Sequence, residues 1–289
     1  GRARTRATTL AAARRWGDAS QTARKKLVKQ TGVRTSELNR LSYWDPVNNV
    51  VLGIMHNWFE GVLQHHFRYR WGINGNFDKQ TERQVGEGEA ETSDYLTEEA
   101  THDEGDEYDF GPGRSFWTTD QKKKLISSVL EVVVPTGVTH MPKGLGTSKN
   151  GKLKASEWHA LFAIHLPLAA MSVFIESAAI NECLAKNEDA IENFTALVRC
   201  TNIVSSDKVH DNEIDNFTFE YSKYTATAAN IFANIKILPN HHYALHIPDQ
   251  MRRWGPLLGV SEFPGERLIG KLQKIKTNRN TSKSALLSH

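Results

Sequence analysis

The chain is predicted to be mainly α-helical, with few strands. Apolar residues recur at helical spacing in several long segments, and capping and stop residues bracket those segments. No run alternates convincingly with a period of two; "EVVVP" (131–135) is the only fair strand candidate. With 289 residues, 39% of them hydrophobic and 24% charged, the chain has an ordinary globular composition, enough for one large domain or two of average size.

Each element has its own warrant. Residues 5–31 are rich in Ala, Arg, Lys and Gln and are expected to be helical, closing at Gly32. "TGVRTSELNRLSYWDP" then offers a Thr-Ser-Glu helix start, one short helix and a turn, because Pro46 pushes Asp45 out of α geometry. From Val50 to about Trp71, residues Val51, Met55, Trp58, Phe59, Val62, Leu63 and Phe67 recur at helical spacing. Residues 75–113 are acidic and poor in apolar groups. Such a stretch cannot bury enough surface to offset its ordering entropy, so an insert or disordered loop is expected. A helix should begin near Thr118 or Thr119, and "PTGVTHMPKGLGTSKNGKLK" is a Pro/Gly-punctuated connection. Ser156 should N-cap a largely buried helix that Pro167 kinks. Residues 188–204 and about 211–236 suit two more helices, and "LPNHHYALHIPDQMRRWGP" and "FPGERLIGKLQKIKTNRN" complete the ordered portion. The expected organisation is an N-terminal helical region over residues 1–74, an acidic insert over 75–113, a second helical region over 114–280 and a tail over 281–289.

Composition removes several classes of function. No stretch of about 18 uninterrupted apolar residues exists, so no transmembrane helix is expected. The basic start "GRARTRATTLAAARRW" lacks the apolar core and cleavage site of a secretory signal. It loosely resembles an organelle transit peptide, and the chain as a whole suggests a segment of something longer. Two cysteines, Cys183 and Cys200, without a CxxC pair exclude a zinc ribbon and fit a reducing compartment. The Asn-x-Ser/Thr triplets at Asn193, Asn216 and Asn280 then carry no meaning. "MPKGLGTSKNGK" does not match a phosphate-binding loop, and no GxSxG, HExxH or dinucleotide fingerprint occurs.

Charge is strongly uneven. Residues 81–110 hold twelve acids against one arginine, whereas residues 1–30 hold nine Lys/Arg against one Asp, and residues 250–289 eight against two Glu. Basic ends around an acidic middle point to a polyanionic partner, most readily nucleic acid; solvated helix faces are the plain alternative.

Three constellations could carry chemistry. In "MHNWFEGVLQHH", His56 and Glu60 are four residues apart and share a helix face, where they could hold a metal ion or form a buried polar pair. In "LPNHHYALHIP", His242 and His246 share a face if the segment is helical; metal, phosphate or a simple capped helix entrance would each explain them. In "PGERLIGKLQKIKTNRN", Glu266 and Arg267 head a helix bearing Lys271, Lys274 and Lys276. That suits either a carboxylate beside a phosphate-binding stripe or an ordinary N-terminal acid facing its helix dipole.

"GVRTSELNRLSYWDPVNNVVLGIMHNWFEGVLQHH", "PNHHYALHIPDQMRRWGPL" and "FPGERLIGKLQKIKTN" together resemble the fungal (basidiomycete) transposases related to the CACTA (En/Spm-like) cut-and-paste family, over about Thr31 to Asn280. The resemblance implies the C-terminal, helical portion of an RNase H-like core with a long helical insertion. Such a core holds two Mg²⁺ or Mn²⁺ ions with three carboxylates. It also implies an aspartate just before "Met-His", where this chain has Gly53. Asp45 lies eight residues earlier. In the closing Phe-x-x-Glu-Arg-x-x-Gly pattern, Phe263, Glu266, Arg267 and Gly270 match, so Glu266 is the implied surviving carboxylate.

The resulting expectation is a nuclear, transposase-derived segment that binds double-stranded DNA through Arg252, Arg253, Arg267, Lys271, Lys274 and Lys276, with self-association open. Its carboxylate set is expected to be incomplete. The alternatives are an active metal nuclease, with Glu266 and Asp45 catalytic and His56, Glu60, His242 and Glu266 on the metal, or a non-enzymatic helical scaffold.

Overall fold

The computed structural model describes residues 4–73, 116–147, 153–170 and 188–274. Among them every regular element is helical, about ten helices in all, and there is no strand. The few expected strands are therefore not found there. "EVVVP" leaves its helix at Val132 and runs as irregular chain, with Val133 94% exposed. The acidic insert, Cys183, Lys276, Asn280 and the tail 281–289 lie outside the described residues. The chain divides into two compact units, Gly1–Leu52 and Gly53–His289.

In the first unit, residues 5–31 form two helices rather than one continuous one, α1 (Arg6–Gly17) and α2 (Gln21–Thr31). Gly17 and Asp18 end the first, and Ser20, in extended geometry, starts the second. Thr5 and Thr8 close a reciprocal cap on α1, and Gly32, at φ 66°, ends α2 in the left-handed region that glycine tolerates. Two arginines then staple the hairpin. Arg24 on α2 donates to the Trp16 and Gly17 carbonyls at the end of α1 (3.1 and 2.6 Å), and Arg4 donates to the Thr31 carbonyl at the end of α2 (2.8 Å). Each guanidinium meets the negative end of a helix dipole. Among the described residues of this unit only Thr9, Ala13 and Val33 are buried, so caps rather than a core hold it.

The second unit is built around α3 (residues 54–70), which winds as π turns over Met55–Leu63 and His66–Arg70. It starts at Ile54 rather than Val50, and residues 51–53 lead in as irregular chain. Around it lie α4 (Thr119–Glu131), α5 (residues 155–170), α6 (Glu188–Val204), α7 (Asp211–Ile231), α8 (Pro239–Ala244), α9 (Ile247–Trp254) and α10 (Phe263–Leu272). Helix α5 begins at Ala155, one residue before the expected Ser156 cap, with the Glu157 carboxylate accepting the Lys154 N–H (2.7 Å). Its turn widens to π winding over Leu161–His165, just before Pro167, whose missing N–H cannot bond to the preceding turn.

Aromatic side chains of α3 knit these helices together. Trp58 lies against Phe217 and Tyr221 of α7 (ring centroids 5.6 and 5.8 Å apart), and its Nε1–H donates to Thr201 Oγ1 of α6 (3.2 Å). Phe67 meets Trp158 of α5 edge-on at 5.6 Å, and Trp71 meets Phe194 of α6 at 5.4 Å. Both ends of α3 are held by charges from afar. Glu262 accepts the Met55 N–H at its positive end, and Lys122 Nζ donates to the Gly72 carbonyl at its negative end (2.9 Å). Burial pulls the Lys122 pKa down to about 8.

Candidate nucleic-acid interface and its carboxylate–histidine edge

Helix α10 buries none of its residues, yet its surface is sharply divided. At about 100° per residue, Glu262 and Glu266 fall on one edge. Arg267 and Lys271 lie on the side next to it, with Lys274 in the turn that follows the helix, and Leu268 and Leu272 lie on the side beyond. All three basic residues are exposed, and they make no ion pair among the described residues. Unpaired, exposed cations of this kind are what phosphate contacts require.

The acidic edge turns toward the start of α3. Glu262 Oε2 accepts the Met55 N–H at 3.2 Å. A Cβ added at Gly53 would lie 1.3 Å from Glu262 Oε1 and 2.3 Å from its Cδ. The Glu262 carboxylate thus fills the space that a side chain at residue 53 would take. No pattern in the sequence pointed to Glu262; its only signal was the glycine 209 positions earlier, which leaves room for it.

One turn into α3, His56 Nδ1 meets Glu60 Oε2 at 2.8 Å, and His56 Nε2 stands 3.8 Å from Glu266 Oε1. Both ring nitrogens therefore face carboxylates, the role of a bridging imidazolium when protonated. The α8 entrance closes against the same turn. Asn240 Nδ2 donates to the His56 carbonyl (3.4 Å), and a Cβ at Gly61 would lie 2.3 Å from Asn240 Nδ2 and 2.9 Å from the His56 carbonyl oxygen. Phe59 packs between His159 and Phe263, at 5.3 and 6.2 Å, tying α10 to α3.

The other candidates have different partners. His242 is exposed and stacks edge-on with His246 at 5.4 Å. Arg252 is held by Asp215 at 2.6 Å, with Asp249 at 3.9 Å, so much of its charge is spent on α7 and on its own helix. Arg253 is exposed. Asp45, in the first unit, caps its own turn: Oδ1 accepts the Val47 and Asn48 N–H groups (2.9 and 3.2 Å), and Oδ2 accepts from the Asn48 side chain (2.8 Å). The Val47 amide is the largest influence holding its carboxyl below the usual range.

The remaining histidines of "MHNWFEGVLQHH", His65 and His66, are buried. His65 Nδ1 and His241 Nε2 are 3.0 Å apart, and His66 Nδ1 is 3.2 Å from the Tyr224 hydroxyl. The His65 ring also bonds to the Lys236 backbone. Arg70 lies over the Tyr224 and Phe232 rings at 4.9 and 5.7 Å, with Nε and one terminal nitrogen lacking hydrogen-bond partners. Burial first, and the Arg70 cation second, push His65 down to about 4 and His241 down to about 2; His66 is depressed for the same reasons.

Among the described residues no group of three or more His, Cys, Asp or Glu is arranged to hold a metal ion. His56 has both nitrogens facing carboxylates and one Glu262 oxygen is taken by an amide, so this edge does not fit a metal as it stands.

A double-mutant cycle checks the Glu262–Gly53 relationship. Gly53→Ala should displace the flexible carboxylate and cost about 1 kcal/mol, the worth of one charge-assisted cap. Glu262→Ala should cost about the same, and the pair together no more than either alone. Additive losses in urea unfolding would show that the two residues act separately.

No helix among the described residues is long and apolar enough to cross a membrane. The chain matches no protein-family model, no curated protein and no solved structure.

Proposed function

We propose that this chain is the DNA-binding, helical segment of a transposase, related to the RNase H-like cores of the CACTA group, and that it acts in the nucleus without a complete catalytic carboxylate set. One observation carries the binding half: the exposed, unpaired stripe of Arg267, Lys271 and Lys274 along α10. The long motifs that resemble the transposases run through the same helices, and they support the family half.

Double-stranded DNA would lie along this stripe by its phosphates. Arg252 contributes less than Arg267, because Asp215 already holds it. Contacts of this kind position a protein on the duplex and carry little sequence information.

A nuclease reading has one observation in its favour. Glu262 sets a carboxylate in the space of residue 53, where the resemblance implies an aspartate, and Glu266 stands one turn along the same edge. The engagement of His56 by Glu60 and Glu266 weighs against it, as does the poor fit of the edge to Mg²⁺ or Mn²⁺. Binding without cleavage is therefore the better-supported activity.

The test is a binding assay on the full chain with labelled duplexes of unrelated sequence. Lys271→Glu with Arg267→Glu should weaken every duplex alike, while supercoiled plasmid with Mn²⁺ stays intact. Unchanged affinity would remove the stripe from the interface. Nicking that disappears in Glu266→Ala would establish the nuclease instead.

A further inference from the structure

The first unit carries a feature that the duplex-binding stripe does not absorb. Eleven Lys/Arg against three Asp/Glu give residues 1–52 a net charge of +8. Its one side-chain ion pair among the described residues is Arg40–Glu37, at 3.0 Å on the open surface, where such pairs are weak. The stapling arginines bond to carbonyls, so their charge is not neutralised.

In this cationic setting Tyr43 is 78% exposed. It sits at the apex of a turn closed by the Trp44 N–H donating to the Leu41 carbonyl (3.2 Å). Arg6 grips both sides of that apex, its Nε donating to the Trp44 carbonyl (2.9 Å) and its terminal nitrogen to the Ser42 carbonyl (2.8 Å). The two-pronged bond fixes the backbone around a tyrosine that has no packing role. Arg4, reaching the end of α2 at Thr31, brings Lys29 to the same end of the hairpin, and Arg40 lies three residues before Tyr43.

A rigidly presented, exposed aromatic ring in a strongly cationic unit is suited to unpaired bases: the ring stacks on a base face, and the cations follow the phosphates. A duplex offers no free base face to such a ring. We infer that the first unit is a single-stranded nucleic-acid site, with Tyr43 the stacking residue and Arg4, Lys29 and Arg40 the phosphate contacts. This goes beyond the duplex-binding role of α10 and does not depend on it.

The experiment uses the full chain with fluorescein-labelled oligo-dT, oligo-U and a mixed-sequence duplex, read by anisotropy. Tyr43→Ala should lower single-strand affinity by about 5- to 150-fold, the usual worth of one stacked base. Tyr43→Phe should keep most of it, and duplex affinity should not change. Oligo-U bound at least as tightly as oligo-dT, with the same dependence on Tyr43, would support the site and assign RNA to it. No single-strand binding by the unaltered chain, wild-type affinity in Tyr43→Ala, or an equal loss on duplex would each overturn the inference. Loss of duplex binding in the α10 variants with single-strand binding retained would separate this site from the α10 stripe.

Discussion

Lowering the pH from 7 to about 5 is expected to unfold the second unit. In the unfolded chain His65, His66 and His241 titrate near 6.5, whereas in the folded protein His65 is held near 4, His241 near 2, and His66 well below its ordinary value. A depressed histidine binds its proton more readily when unfolded. Its contribution to stability is therefore complete above pH 6.5 and drains away as the pH falls below that value. Each proton taken up on unfolding costs about 1.4 kcal/mol per pH unit, so three together approach about 4 kcal/mol per pH unit. Against a total stability of roughly 5–15 kcal/mol, a drop to pH 5 consumes a large fraction. Urea unfolding followed by tryptophan fluorescence at pH 7, 6 and 5.5 should show a steep fall. A flat profile down to pH 5 would mean that the imidazoles are not held neutral. Arg70→Met removes the cation beside them, and it should shift the acid limb to lower pH.

The second large effect is at Trp58. Its side chain is fully buried, touches two rings of α7 and donates to Thr201 on α6. Truncation to alanine removes about 3–5 kcal/mol through lost burial and the cavity left behind. It also strands the Thr201 hydroxyl, which keeps only its bond to the Leu197 carbonyl. Trp58→Ala should leave little folded protein at ordinary temperatures, and Trp58→Phe should fold with a lower Tm. Thermal melts decide the point, and equal Tm values for all three proteins would show that Trp58 is not central.

The helices were legible because they announce themselves locally. Thr118 and Gln121 cap α4 reciprocally, Gly32 ends α2, and the apolar spacing of residues 188–204 delimits α6. The break at Gly17–Ser20 was less visible, since Ala- and Arg-rich sequence on both sides favours an unbroken helix. The candidate site was legible only where its partners are close in sequence, as with His56 and Glu60. Glu262 reaches Met55 across 207 positions, and its cradle at Gly53 is the absence of a side chain. His65 and His66 are both buried. Their partners His241 and Tyr224 come from α8 and α7, and spacing along α3 carries no trace of them. The π winding of α3 also departs from the 3.6-residue period on which any facing argument rests.

The basic stripe of α10 lies beside its acidic edge. Whether nucleic acid lies there is decided by the salt dependence of duplex binding in the unaltered chain and in the triple variant Arg267→Gln, Lys271→Gln, Lys274→Gln. Each lost phosphate contact should reduce the slope of log K against log salt by about 0.9, so the variant should bind more weakly with a slope shallower by about 2.7. An identical slope and affinity in the two proteins would contradict the DNA-binding role of α10.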